Sequence, residues 1–159
     1  MRINNWEIYA FKLFSVLYYK LVSEVKSLAE NEPETYKQHP KSKLLKSIND
    51  AIFKDVPADP THKDFNLGKT LGENYKQWKR VKKRMPPRYR MFFRYHSDFV
   101  IKKGFSPEKC IIFVWFNDES TLRKEGSKTD CYKVLAHYLN SGKIPNDWGE
   151  LFAISKSLN

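Results

Sequence analysis

Residues 75–96 read YKQWKRVKKRMPPRYRMFFRYH, and no acidic residue occurs between Glu73 and Asp98. Nine cations stand in this interval: Lys76, Lys79, Arg80, Lys82, Lys83, Arg84, Arg88, Arg90 and Arg94. The stretch alternates on both sides of Met85-Pro86-Pro87. Trp78, Arg80 and Lys82 share one parity, and Gln77, Lys79 and Val81 the other. After the prolines, Arg88, Arg90, Phe92, Arg94 and His96 point one way, and Tyr89, Met91, Phe93 and Tyr95 the other. A period of two belongs to β-strands, whose successive side chains face opposite sides of a sheet. Aromatic residues suit strands, and proline, which cannot donate to a ladder, suits the connection. Lysine-rich strands are often only protected sheet edges. A run of nine cations with interleaved aromatics points further, to a surface for a polyanion, because guanidinium forks onto two phosphate oxygens at once.

Working outward, Cys110–Phe116 (CIIFVWF) is an almost unbroken apolar run, as expected of a central strand buried on both faces. Trp6–Phe11 (WEIYAF) predicts a first strand. Between them, Phe14, Leu17, Leu21, Val25 and Leu28 recur at helical spacing and predict a helix to about Asn31, closed by Glu32-Pro33. A second helical region, 34–54, is interrupted by Pro40 and carries Leu44, Leu45, Ile48 and Ile52. Residues 97–109 read as a polar connection, and Asn117–Thr121 as a turn with helix-start chemistry. Thr129 or Asp130 can cap a helix to Asn140 with Tyr132, Leu135 and Leu139 inward; Gly142 ends it, and a short helix follows from Asp147. The Gly68-Lys69-Thr70-Leu71-Gly72 string lacks the first glycine of a phosphate-binding loop. The order predicts a single α+β domain, residues 1–159, with helices on one face of a mostly antiparallel sheet and the basic rows on the other.

A formal net charge of +11 points to nucleic acid or an acidic surface. Hydrophobic residues at 41% and aromatics at 15% argue against disorder. Cys110 and Cys131 stand far apart, and the four histidines are scattered, so neither a disulfide framework, a metal nor another cofactor is implied. No signal-peptide layout or membrane-length apolar run occurs, which predicts a cytoplasmic protein with no membrane partner.

The strings WKRVKKRMPPRYRMFFRY (78–95) and WFNDESTLRKEGSKTDCYKVLAHYLNSGKIPNDW (115–148) closely resemble the YhaV family of toxins from bacterial type II toxin–antitoxin pairs. That family's pattern reads approximately W-S-R-V-K, R-Y-R-L-F-F-R-Y, W-x-N-D-E-x-T-L-R and K-T-D-A-Y. The resemblance extends more weakly through NNWEIYAF, the Leu44-Leu45 helix and the Gly68–Gly72 turn. It implies a RelE-like fold: an N-terminal strand and two helices on a mostly antiparallel four-stranded sheet, plus C-terminal helices. It implies an endoribonuclease that cleaves mRNA, with the ribosome engaged, and a PrlF-like antitoxin encoded alongside. Arg80 stands where the family has a functionally important arginine. Arg88, Arg90 and Arg94 match its Arg-rich strand, and Trp78, Asn117, Asp118, Glu119, Arg123, Lys128, Thr129 and Asp130 also fall on its motifs. Lys82–Pro87 departs from the family's short Gly-containing turn.

Metal-free RNA cleavage uses the substrate's 2′-OH as nucleophile, so the protein must position the phosphate, neutralise the phosphorane and move two protons. Arginines suit the charge work; Tyr89, Tyr95, Lys79 and Lys82 are the groups available to move protons. The expected catalytic set is Arg80, Arg90, Arg94, Tyr95 and Lys82. The expected RNA contacts are Lys79, Lys83, Arg84, Arg88, Trp78, Arg123 and Lys128, supported by Asn117, Asp118, Glu119 and Asp130. Asp118, Glu119 and Asp130 also have a simpler reading as helix caps. Two other functions fit the residues: a nucleic-acid-binding module that does not cut, and a ParE-like inhibitor of DNA gyrase.

Overall fold

The computed structural model describes residues 1–158 and is α+β. Its mixed sheet has six strands: β1 (Arg2–Ile3), β2 (Trp6–Phe11), β3 (Lys79–Val81), β4 (Met91–Phe99), β5 (Glu108–Phe116) and β6 (Ser155–Ser157). The order is β1-β2-β5-β4-β3, with β6 pairing β2. Only β2 and β5 run parallel; the remaining pairs are antiparallel. The expectation of four strands is thus corrected to six. The two additions are two and three residues long and share the outer edge of β2, too short to leave an apolar period.

β5 is central, as its composition predicts: every residue from Cys110 to Phe116 is buried. Phe92 pairs Trp115 while Phe93 pairs Phe113, so Val114 is an extra residue on β5. Such a bulge sharpens local twist. Here it leaves Phe92 and Trp115 stacked, with ring centroids 5.7 Å apart.

One face of the sheet packs on α1 (Lys12–Asn31) and α2 (Pro40–Asp50), through Ile8, Phe14, Leu44, Ile48, Met91, Phe93, Ile111 and Phe113. Pro40 opens α2 at its first turn, where a missing N–H costs nothing. The helical path outlasts the predicted limit at Lys54. It widens into a π turn, Ala51–Asp55, and ends in a single turn, α3 (Val56–Ala58). Pro57 explains the widening, because its ring would clash with a carbonyl of the preceding regular turn.

The opposite face is not open, and the expectation that it would display the basic rows is corrected. It is covered by α4 (Cys131–Asn140) and α5 (Trp148–Ala153), with Trp78, Phe92, Ile112, Val114, Leu135 and Leu151 in a second core. The parity read from the sequence holds: Arg80 and Arg94 share the α4/α5 face with Phe92, while Val81, Met91 and Phe93 lie on the α1/α2 face. β4 and β5 also run further than expected, so the polar connection shrinks to the turn 100–107. No helix begins at Asn117–Thr121; Asp118 instead accepts from the Ser120 N–H at 2.9 Å and closes a turn.

Candidate nucleic-acid site

Three arginines converge on one tyrosine, two on its hydroxyl and one over its ring. Arg80 on β3 donates from Nη1 to the Tyr132 hydroxyl at 2.6 Å, and Arg90, just before β4, donates from Nε at 3.3 Å. Arg123, from the loop after β5, lies over the Tyr132 ring at 4.9 Å, and Arg80 lies over it at 5.6 Å. The ring's negative face favours a neighbouring cation. Tyr132 itself is buried and sits in the first turn of α4.

The scaffold that brings these groups together is polar and mostly buried. Asn117 accepts from the Arg90 N–H at 2.7 Å, and its amide donates to the carbonyls of Arg88 at 3.0 Å and Thr121 at 2.8 Å. The Arg123 N–H also donates to the Arg88 carbonyl, at 2.9 Å. Asp130 caps α4 by accepting from the Tyr132 N–H at 3.1 Å. Its other oxygen accepts from the Lys124 N–H at 2.6 Å and from Arg123 Nη1 at 2.9 Å. One carboxylate therefore sets both the helix that carries Tyr132 and the arginine above it. Its cap was read correctly from sequence, and its second task was not.

The charge is unbalanced. Among the described residues, Asp130 is the only ion-pair partner found for any of the three arginines. Arg80 Nε is buried with no hydrogen-bond partner. An open depression of about 380 Å³ is lined by Tyr132 and Arg123 together with Leu71, Glu125, Asp130 and Lys133. Cationic donors beside an open depression suit an anionic oxygen held by several N–H groups.

The other expected residues divide. Arg88 and Lys128 are exposed near this cluster's loops, and Lys82 is exposed just past β3. Lys83 and Arg84 in the β3–β4 turn are committed to carboxylates, Lys83 to Asp64 at 3.2 Å and Arg84 to Asp55 at 2.7 Å. Asp118 is held below the usual carboxylate range: partial burial pushes it up, but hydrogen bonds from Ser120 and Thr121 outweigh that. Glu119 beside it is exposed.

Four expected residues stand apart from the cluster. Trp78 is fully buried and donates from Nε1 to Asn146 Oδ1 at 2.8 Å, so it has no face free for a base. Arg94 is buried between Trp78 and Trp148, 5.1 and 5.8 Å from their rings, and donates to the Asn146 carbonyl at 2.7 Å. Burial pushes its guanidinium down to about 10, against a smaller opposing pull from Asp147. Tyr95 lies across the sheet, edge-on to Trp6, with Lys79 over its ring at 6.0 Å. Lys79 itself donates to Asn66 Oδ1 at 2.8 Å, and burial lowers its pKa. Tyr132 is the residue that sequence reasoning assigned to packing alone. Its position two residues after the capping Asp130, inside the matched KTDCY string, was the available signal.

Similar proteins carry the same layout of sequence. The family model of YhaV toxins, described as toxins with endonuclease activity of a toxin–antitoxin system, matches residues 8–156. Toxin YhaV of Escherichia coli O6:H1 (strain CFT073) is 40% identical over 151 residues, 94% of this chain and 92% of its own length. The protein named ribonuclease toxin YhaV of Escherichia coli K12 matches with the same identity and coverage. No solved structure matches. The match runs through every element bearing the arginine–tyrosine cluster, and the chain belongs to the YhaV family of toxins with endonuclease activity, the toxin side of a toxin–antitoxin system.

Proposed function

We propose that the protein is an endoribonuclease that cleaves mRNA engaged with the ribosome, and so arrests translation in the cytoplasm, by metal-independent transesterification. The observation that carries the reading is the convergence of three arginines on Tyr132, Arg80 and Arg90 on its hydroxyl and Arg123 over its ring, with an open depression lined by Tyr132 and Arg123. In this mechanism Arg80 and Arg90 hold the scissile phosphate and stabilise the phosphorane. The 2′-oxygen forms a bond to phosphorus and the bond from phosphorus to the 5′-oxygen breaks. Tyr132 gives its hydroxyl proton to the departing 5′-oxygen, the 2′-OH proton leaves to water, and Lys82 adds positive charge for the substrate backbone. Arg123, Arg88 and Lys128 guide the flanking backbone, while Asn117 and Asp130 keep the loops in register. A cation cluster repels a divalent ion, which favours proton chemistry over metal chemistry here.

The order β2, α1, α2, β3, β4, β5, with β2-β5-β4-β3 contiguous in the sheet, supports a RelE-like core to which β1, β6, α4 and α5 are added, all within one domain. A PrlF-like antitoxin encoded alongside, bearing an acidic segment that competes with phosphate for the arginines, is the proposed partner. No helix among the described residues is long and apolar enough to cross a membrane. The test is Arg80→Ala. Primer extension on mRNA after brief expression should show new ends with the parent and none with a variant of unchanged melting temperature. Cleavage by that variant would remove Arg80 from the mechanism, and intact mRNA with broken DNA from the parent would replace the reading with a gyrase poison.

A further inference from the structure

At the far end of β4 from Arg90 the chain turns through VIKKGFSP, residues 100–107, and every one of these eight residues is exposed. Val100 is 49% exposed, Ile101 41%, and Phe105 64%, the highest among the exposed large hydrophobics of the described residues. The Phe105 N–H donates to the Lys102 carbonyl at 3.0 Å, Gly104 takes a φ of 88°, and Lys102 lies over the Phe105 ring at 5.0 Å. At the root of this finger, Phe99 packs on Trp148 and Phe152 of α5, at 5.7 and 4.8 Å. Ten residues of extended chain separate Val100 from Arg90, which puts the finger roughly 30 Å from the arginine–tyrosine cluster.

We propose that this finger is a docking site for the antitoxin, which grips it with a segment whose apolar side chains are flanked by Asp or Glu. The inference rests on membership of a toxin–antitoxin family and not on the chemistry proposed for the arginine cluster. Three features select this occupant. Clustered exposed apolar side chains on a turn mark a surface that a protein covers. Two of the three exposed apolar side chains, Val100 and Ile101, are aliphatic and offer nothing to stack on a base, and the one aromatic, Phe105, has Lys102 over its ring, whereas single-stranded RNA is held by runs of aromatic platforms. Lys102 and Lys103 are the only charges between Asp98 and Glu108, so the rim asks for carboxylates. A grip so far from the cluster would let the antitoxin stay bound while a separate acidic segment covers the arginines.

The experiment coexpresses the full chain with the protein encoded by the adjoining reading frame, and measures their affinity by calorimetry and RNA cleavage in parallel. The triple variant Val100→Ser, Ile101→Ser, Phe105→Ser should cleave RNA as the parent does and bind the antitoxin roughly tenfold to a hundredfold more weakly. Lys102→Glu with Lys103→Glu, which leaves the apolar contacts in place, should weaken binding more at low salt than at high. Parent affinity in both variants overturns the proposal. So does normal antitoxin binding with loss of cleavage on ribosomes only, because the finger would then serve the ribosome. Because affinity is read independently of cleavage, failure of the ribonuclease reading would appear as an inactive parent, not as a change in binding.

Discussion

Tyr132→Phe removes one oxygen and leaves the ring in the second core. The hydroxyl accepts one short hydrogen bond from Arg80, 2.6 Å, and one long bond from Arg90, 3.3 Å. A hydrogen bond to a charged group contributes about 1.5–3 kcal/mol. Both arginines are only partly buried, so water can replace much of what is lost. The expected cost in stability is therefore about 1–2 kcal/mol, or a fall of roughly 2–8 °C in melting temperature for a chain of this size. Catalysis should suffer far more. Removing a positioned general acid costs about 10²–10⁴ in rate, or roughly 3–5.5 kcal/mol of barrier. The assay is single-turnover cleavage of an RNA oligonucleotide well below the melting transition, with RNA affinity measured separately. A Phe variant that binds RNA like the parent and cleaves within about tenfold of it would refute the proton-donor role. Equal losses in binding and rate would reduce Tyr132 to a brace for the arginines.

Arg94 is expected to act through the fold. Arg94→Ala should lose roughly 2–4 kcal/mol by emptying the slot between Trp78 and Trp148, whereas Arg94→Met should keep most of the stability, since it fills the slot without burying a cation. A Met variant with the parent's melting temperature but no cleavage would return Arg94 to the catalytic set. Burial pushes the Cys110 thiol up to about 12 and Cys131 up to about 11, with nearby carboxylates adding to both shifts. Neither should react with a thiol reagent at pH 8 until the chain unfolds. Because these folded values lie above the ordinary 9.0, the linked stability is present below pH 9 and lost as pH rises through 11 and 12. Prompt labelling of the native protein would contradict this. Cleavage of a minimal RNA should survive EDTA and leave a 2′,3′-cyclic phosphate and a 5′-OH, and a 2′-deoxy nucleotide 5′ of the cut should block it. A 5′-phosphate product would mean that water is the nucleophile.

The covered face shows why part of the site was hidden in the sequence. Alternation along residues 88–96 correctly separates the arginines from Tyr89 and Tyr95, because side-chain direction in a strand is a local property. Whether a face is then open depends on what packs there. The α4 and α5 helices come from residues 131–153, and no periodicity within 75–96 reports their arrival. Treating the arginines as one row therefore joined Arg80 and Arg90 to Arg94, although Arg94 is enclosed by Trp78, Trp148 and Asn146. The acid-free run also overstated the free charge, because Asp55, at the end of the π turn, and Asp64 reach Arg84 and Lys83 from upstream in the chain.

Local chemistry was enough for β2, α1, β5, the Asp130 cap of α4 and the start of α5 at Asp147, since each is set by spacing or by a side chain bonding its own backbone. The long matched strings were enough for the family. Tertiary structure alone decided that β1 and β6 complete the edge of β2, that the sheet is covered on both faces, and that Tyr132 receives Arg80 and Arg90. A contact between residues 52 positions apart leaves no trace in the pattern of either segment. It exists because the sheet sets β3 beside β4 and α4 packs across that face, while Asn117 and Asp130 hold the loops between them through hydrogen bonds to Arg88, Arg90, Thr121, Lys124 and Tyr132.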